Sequence, residues 1–299
     1  MAEKKTITVF TPTFNRAHTL HRTYESLISQ TCKDFVWLVV DDGSTDETES
    51  LVNEWINEKK VPIKYIKKEN GGLHTGYNTA IEQIDTELCV CIDSDDWMPV
   101  DAIEKIVSIW TKEKSPKLAG IIGLDFYADT QKPVGGLFKD ISKTYHFLDI
   151  TYKLKHYGDI KMILRTDLLK QHVPMISFPD EKNFNPIYLF YQIDANLEYV
   201  LINTNLCFVD YQQSGMSANI FKQYRNSPYS FAEIRKASLK HPRVPFKRKF
   251  IDSVHLVSSS LIAKDLKIAK SSSKKFLIFL ALPFGLMLYL YILYKTRNK

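Results

Sequence analysis

"ELCVCIDSDDWMPVDAI", residues 87–103, joins an apolar run to a cluster of acids. Leu88 to Ile92 carries no polar break, as expected of a strand covered on both faces. It then meets Asp93, Asp95 and Asp96, three carboxylates within four positions. That much charge is not tolerated inside a sheet, so the acids mark its rim. A helix is predicted next, over Val100–Thr111. Upstream the same alternation repeats. Ile7–Phe10 reads as a strand, Ala17–Gln30 as a helix with Leu20, Tyr24, Leu27 and Ile28 on one face, and "FVWLVV" (35–40) as a second strand. A helix over Glu47–Asn57, capped by Ser44 or Thr45, a strand "VPIKYI" and a helix over Leu73–Ile84 complete the first half. Strands separated by helices imply a parallel sheet of right-handed β-α-β units.

The second half is less regular. "KLAGIIGLDFYA" and "DIKMILR" look like strands, Thr166–Gln171 and Pro186–Asn196 like short helices, and "YVLINTNLCFVDY" like a strand or a hairpin. After Gly215 the pattern weakens, and from Arg235 to Lys249 there are seven Lys/Arg and no acid. The last segment is plain. Phe276–Tyr294, "FLIFLALPFGLMLYLYILY", has 19 residues without a charge, close to the ~20 that span a bilayer core. Lys274 and Lys275 precede it, Lys295, Arg297 and Lys299 follow, and Tyr289, Tyr291 and Tyr294 gather near one end. Pro283 and Gly285 are expected to break it near its middle, so a re-entrant or in-plane segment stands beside a simple span.

The chain has 299 residues, 44% of them hydrophobic and 25% charged, which makes it globular. The formal net charge is +6, and residues 264–299 alone carry +7. The rest is near neutral, which argues against a nucleic-acid binder and turns the basic tail toward an anionic membrane surface. "MAEKKTITVFTPTF" has no apolar leader region, so the N-terminus is expected to stay in the cytosol. Cys89 and Cys91 alternate onto one face of a strand and, with Cys32 and Cys207, read as reduced core residues in a reducing compartment.

In open α/β sheets, ligands bind beyond the carboxyl ends of the strands. "TPTFNR", "DDGSTDET", "ENGGLHTGYN" and "DSDDW" all follow strands, so one crevice can collect them. Facing acids repel unless a cation lies between them, and oxygen-only ligands favour Mg²⁺ or Mn²⁺ over zinc. With one or two carboxylates from the protein, water and substrate phosphate oxygens would complete the shell. The alternative is an Asp-rich turn that caps the helix after Pro99.

Together these segments resemble the family two glycosyltransferases of the GT-A fold, over roughly residues 6–235. The segment "GDIKMILRTDLL…FPDEKNF" resembles bacterial enzymes that build cell-surface polysaccharides. The resemblance implies a Rossmann-like, mostly parallel sheet flanked by helices. It implies a catalytic domain over 1–235; the charge and hydropathy pattern adds a basic, membrane-proximal helical segment over 236–275 and a hydrophobic membrane segment over 276–294. Pro12, Thr13 and Phe14 would line the base with Arg16 nearby, and Asp42 would accept the uracil N3–H, which favours UDP sugars. Asp93 would hold ribose and metal, Asp95 would be the principal metal ligand, and Asp96 would support the loop or touch the sugar. Gly71 and Gly72 would let backbone approach the nucleotide. Relatives carry Ala-Arg-Asn where this chain has Gly76-Tyr77-Asn78; His74 would replace the arginine as a phosphate or sugar contact, or be a surface histidine.

The implied chemistry is an inverting displacement. The Mn²⁺ or Mg²⁺ ion stabilises the departing diphosphate and a carboxylate takes the acceptor proton. Within "FPDEKNF", Glu181 is the first choice of base and Asp180 the second, with Asp194 a third candidate. Ser214 and Ser217, with Lys222 or Arg225, would form a mobile loop over the diphosphate. The Q-x-x-R-W signature of processive synthases is absent, which favours one sugar per encounter. The expected partners are a nucleotide-sugar donor, a lipid-linked saccharide acceptor and the cytoplasmic face of the cell membrane. Two other readings are a polyprenyl-phosphate sugar synthase and a non-catalytic nucleotide-sugar-binding protein; the intact D-x-D with Asp42 argues against the latter.

Overall fold

The computed structural model describes residues 4–210 and 219–297. Its contacts divide the chain into two compact units: 1–71, 75–174 and 196–211 form the first, and 72–74, 175–195 and 212–299 the second.

The first unit holds a seven-stranded sheet: β1 (Ile7–Thr13), β2 (Phe35–Asp41), β3 (Ile63–Lys67), β4 (Leu88–Cys91), β5 (Leu118–Tyr127), β6 (Ile160–Arg165) and β7 (Glu198–Val209). The order is β3-β2-β1-β4-β6-β5-β7. Strands β1–β4 run parallel, as the alternation predicts, while β6 is antiparallel to both β4 and β5. β7 is one strand of 12 residues beside β5, not a hairpin. Helices α1 (Ala17–Ile28), α2 (Thr48–Glu58) and α4 (Ala102–Glu113) pack their apolar faces on this sheet. Tyr24, Trp37 and Trp55 stack in sequence, with Tyr24 and Trp55 centroids 4.3 Å apart. Such aromatic area dominates core energetics. Helices α3 (Leu73–Gln83), α5 (Phe147–Tyr152) and α6 (Thr166–Lys170) complete the connections.

The expected cap of α2 is displaced. Asp46, not Ser44 or Thr45, bonds the backbone N–H and hydroxyl of Thr48. Ser44 is taken up elsewhere: its N–H donates to Asp41 and its hydroxyl accepts from the Asn15 N–H. The four cysteines are free thiols. Burial pushes the Cys89 thiol up to about 12, in keeping with an inert core residue.

The second unit is helical: α7 (Ile187–Asp194), α8 (Ile220–Asn226), α9 (Pro228–Lys240), α10 (Phe246–Ile262), α11 (Lys267–Lys270) and α12 (Lys275–Lys295). Arg235, where the sequence reading ends the catalytic domain, lies inside α9. The apolar tail is one continuous helix across Pro283, contrary to the expected break. A proline removes one ladder bond. Here it lies on an exposed face while Gly285 is buried against α10, so packing on the far side holds the helix together.

Candidate active site

Register brings the acids to one rim. Thr13 pairs with Asp41 and Asp41 with Lys67, so β1, β2 and β3 end level. The ladder runs one step further, with the Asp42 N–H on the Thr13 carbonyl and the Lys68 N–H on the Asp41 carbonyl. The side chain of Asp42 is nearly buried and heavily engaged. One oxygen accepts from Lys68 Nζ at 2.6 Å, the Gly71 N–H at 3.0 Å and Thr75 Oγ1 at 3.3 Å. Asn70 bonds its carbonyl. Asp41 is spent on structure, accepting from the Ser44 N–H and the Tyr65 hydroxyl. Next to it, Thr13 Oγ1 is buried without a hydrogen-bond partner among the described residues, although an unpaired buried hydroxyl is costly. Pro12 is buried beside it, Phe14 is 46% exposed and Arg16 half-exposed.

The acidic segment after β4 is a turn. The Asp96 N–H bonds the Asp93 carbonyl, which closes 93–96 into a tight turn. Its members face different ways. Asp93 is exposed, and Asp95 lies half-exposed with Arg16 Nη1 at 3.4 Å. Asp96 turns inward to Lys161 Nζ at 3.9 Å, and Lys161 also faces Asp125 at 3.6 Å. Burial works against the Lys161 charge, and the facing carboxylates Asp125 and Asp96 hold it on, above the usual lysine value. Burial pushes Asp96 up to about 8 against the pull of Lys161, and Asp93 and Asp95 add to the rise. Asp125 rises to about 6, again chiefly by burial. The turn is clamped on both sides. Thr23 Oγ1 donates to the Asp96 carbonyl, and Trp97 exchanges backbone bonds with Phe208 of β7. Arg22 stacks over Trp97 and pairs with Asp210.

The donor set fits a hard cation. Asp93 and Asp95 present two carboxylates to solvent, and no cluster of three or more His, Cys, Asp or Glu occurs among the described residues. That is the oxygen-only, ligand-poor arrangement of Mg²⁺ or Mn²⁺ sites completed by phosphate and water.

The remaining predicted residues belong to the second unit. Glu181 is 7% exposed and anchored: its Oε1 accepts from the Tyr229 N–H at 2.9 Å and its Oε2 from the Ser230 N–H at 2.7 Å. These are the open donors of the first turn of α9, and the helix dipole favours an anion there. Asp180 beside it is exposed, at φ +63°. His74 is buried, not a surface histidine; its Nε2 lies 3.0 Å from Ser177 Oγ. Gly72 has φ +94°, and a Cβ there would lie 2.1 Å from the Lys182 carbonyl oxygen. The close approach that requires glycine is thus made by the chain itself. Asp194 is fully buried, 3.5 Å from His241. Arg225 donates to the Thr296 carbonyl and hydroxyl. Ser214 and Ser217 lie outside the described residues.

Three site residues escape the sequence reading. Lys68 follows β3, on the same rim as Asp42, the acid it pairs with. Lys161 is a buried charge within a mostly apolar strand, and such a residue implies a buried partner, here Asp125.

A mixed sheet in this order, with acids gathered beyond β2 and β4, defines the GT-A class of fold. The chain belongs to glycosyl transferase family 2, whose profile matches residues 8–172. Among characterised relatives, the glycosyltransferase GlyA of Streptococcus pneumoniae is 36% identical over 52% of this chain and 21% of its own. The poly(ribitol-phosphate) beta-N-acetylglucosaminyltransferase TarP of Staphylococcus aureus is 31% identical over 40% and 38%. The chain therefore spans between about a fifth and two fifths of these relatives. Among solved structures, S. aureus TarS 1–349 in complex with UDP-GlcNAc superposes with a TM-score of 0.61 at 17% identity, covering 98% of this chain and 92% of that one. The mannosyltransferase PcManGT of Pyrobaculum calidifontis, in complex with GDP-Man and Mn²⁺, gives 0.57 at 16% identity, covering 99% and 84%.

Proposed function

We propose that this chain is a metal-dependent, inverting glycosyltransferase. It moves a sugar from a UDP sugar to a hydroxyl of a lipid-linked saccharide, at the cytosolic face of a membrane. One observation carries the reading: within a family 2 domain, Asp42 and the Asp93–Asp96 turn stand beyond the carboxyl ends of β2 and β4. Asp42 is oriented by Lys68 and by the Gly71 N–H, and is assigned to the uracil edge. The unpaired Thr13 hydroxyl and the exposed Phe14 ring suit the neighbouring base and ribose. The UDP-GlcNAc in the TarS complex supports a uridine donor.

Asp95 and Asp93 would hold Mn²⁺ or Mg²⁺. When bound, the cation supplies Lewis-acid stabilisation to the departing diphosphate. Arg16, already beside Asp95, adds a positive charge that needs no reorganisation as the bond breaks. Asp96 is assigned no proton of the reaction; with Lys161 it fixes the turn. The acceptor's proton goes to the 180–181 pair. Both oxygens of Glu181 already accept backbone N–H bonds, so we assign it the positioning of this segment. Asp180, the solvent-facing member, is assigned the base.

Screening UDP sugars for Mn²⁺-dependent UDP release tests the proposal. One donor should release UDP well above the rest, and chelation should abolish the release. Binding of UDP without release from any donor would overturn catalysis in favour of a nucleotide-sugar-binding role.

A further inference from the structure

We infer that α12 lies in the plane of an anionic membrane, half-embedded in one leaflet, and does not cross it. The inference rests on the membrane attachment proposed above and gives it a geometry. By length and composition α12 is apolar enough to span. Its packing decides otherwise. One stripe of the helix is seated on its own unit along the full length. Ile278 and Ala281 join a core with Leu256, Ile268 and Ala269. Phe284 meets Phe250 edge-on, with centroids 5.7 Å apart. Gly285 lies so close to α10 that a Cβ would stand 2.4 Å from Val257 Cγ1. Tyr291 meets Phe221, and beyond the helix end Arg225 bonds the Thr296 carbonyl.

A spanning α12 would carry α10 into hydrocarbon with it. α10 bears Lys247, Arg248, Lys249 and Asp252, and Asp252 is fully buried between Arg235 and Arg248. Charges of this kind are expelled from the bilayer core. Lying flat, α12 keeps this seat while its other faces enter the acyl boundary. Those faces are apolar and open: Phe276 is 72% exposed, Phe279 68% and Met287 67%. A run of exposed large apolar side chains such as this marks an interaction site. The surrounding charge selects the lipid. Residues 235–299 hold fifteen Lys/Arg and two Asp, and Lys274, Lys275, Lys295 and Arg297 stand exposed at both ends of α12. A spanning helix would place one of these clusters on each side of the membrane. An in-plane helix sets both against the same anionic headgroups.

The full chain carrying Lys274→Cys or Arg297→Cys, in inverted vesicles from the expressing cells, tests this with a membrane-impermeant maleimide. Both cysteines should react from the outside to the same extent, above the background of the unsubstituted chain. Reaction of either one only after the vesicles are opened would overturn the in-plane geometry and leave membrane attachment standing. A chain found wholly in the soluble fraction would overturn attachment itself, and a two-copy mass there would assign the face to a dimer. The exposed substitutions Phe279→Glu and Met287→Glu together should cut recovery with phosphatidylglycerol vesicles at least tenfold, with the melting temperature of the chain kept. Unchanged recovery would also overturn the inference.

Discussion

Two short acidic turns, 93–96 and 180–181, look alike in sequence and are engaged differently in the structure. In the first, the charges are divided by direction. Asp93 and Asp95 face solvent, with Arg16 beside Asp95, while Asp96 is drawn inward to Lys161 and Asp125. In the second, Glu181 is consumed by two N–H groups at the start of α9 and Asp180 alone is left outside. A carboxylate's role is thus set by the donors that face it. The count of acids in a motif does not decide it.

Substitutions can break that contrast. The largest effect is expected at Asp95→Ala. UDP release should fall roughly 10²- to 10³-fold, as for loss of one charge-stabilising group, with the circular dichroism spectrum kept. Lys161→Met comes next. It removes the buried cation between Asp96 and Asp125, and urea unfolding should show a loss of about 3 kcal/mol. A milder loss, about 1 kcal/mol, is expected for Glu181→Gln, which gives up the charge of the α9 cap. Turnover with Glu181→Gln should exceed that with Asp180→Asn; the reverse order would return the base to Glu181.

The smallest effect is a pH slope. The folded pKa of Asp96 lies near 8, above its unfolded value, so the folded chain binds this proton more tightly. Its contribution to stability is complete below about pH 4 and fades as pH rises toward 8. Asp96→Asn removes that slope. Relative to the parent, the variant's melting temperature should rise between pH 5 and pH 8, and a parallel shift at both pH values would refute the buried titration.

The first unit was largely legible because Phe35–Val40 of β2 and all of β4 are continuous apolar runs, Ile7, Val9 and Phe10 mark β1, and helical periods lie between them. The direction of β6 was not, since an apolar run reads the same whichever way its neighbours lie. In the second unit, α10 presents Phe250, Val254, Val257 and Leu261 at helical spacing to its own core. The run Ser258–Ser260, buried in the structure, masks that period in the sequence. The cap of α9 was invisible for another reason: Glu181 and Ser230 are 49 residues apart, and only the fold brings them together.

Titrating UDP into the purified chain, with and without Mn²⁺, for the parent and for Asp95→Ala, tests the central claim most directly. The parent should bind UDP at least tenfold more tightly with Mn²⁺, and Asp95→Ala should lose that gain. Equal affinity with and without the metal, or a gain that survives in the variant, would contradict a cation held by the turn after β4.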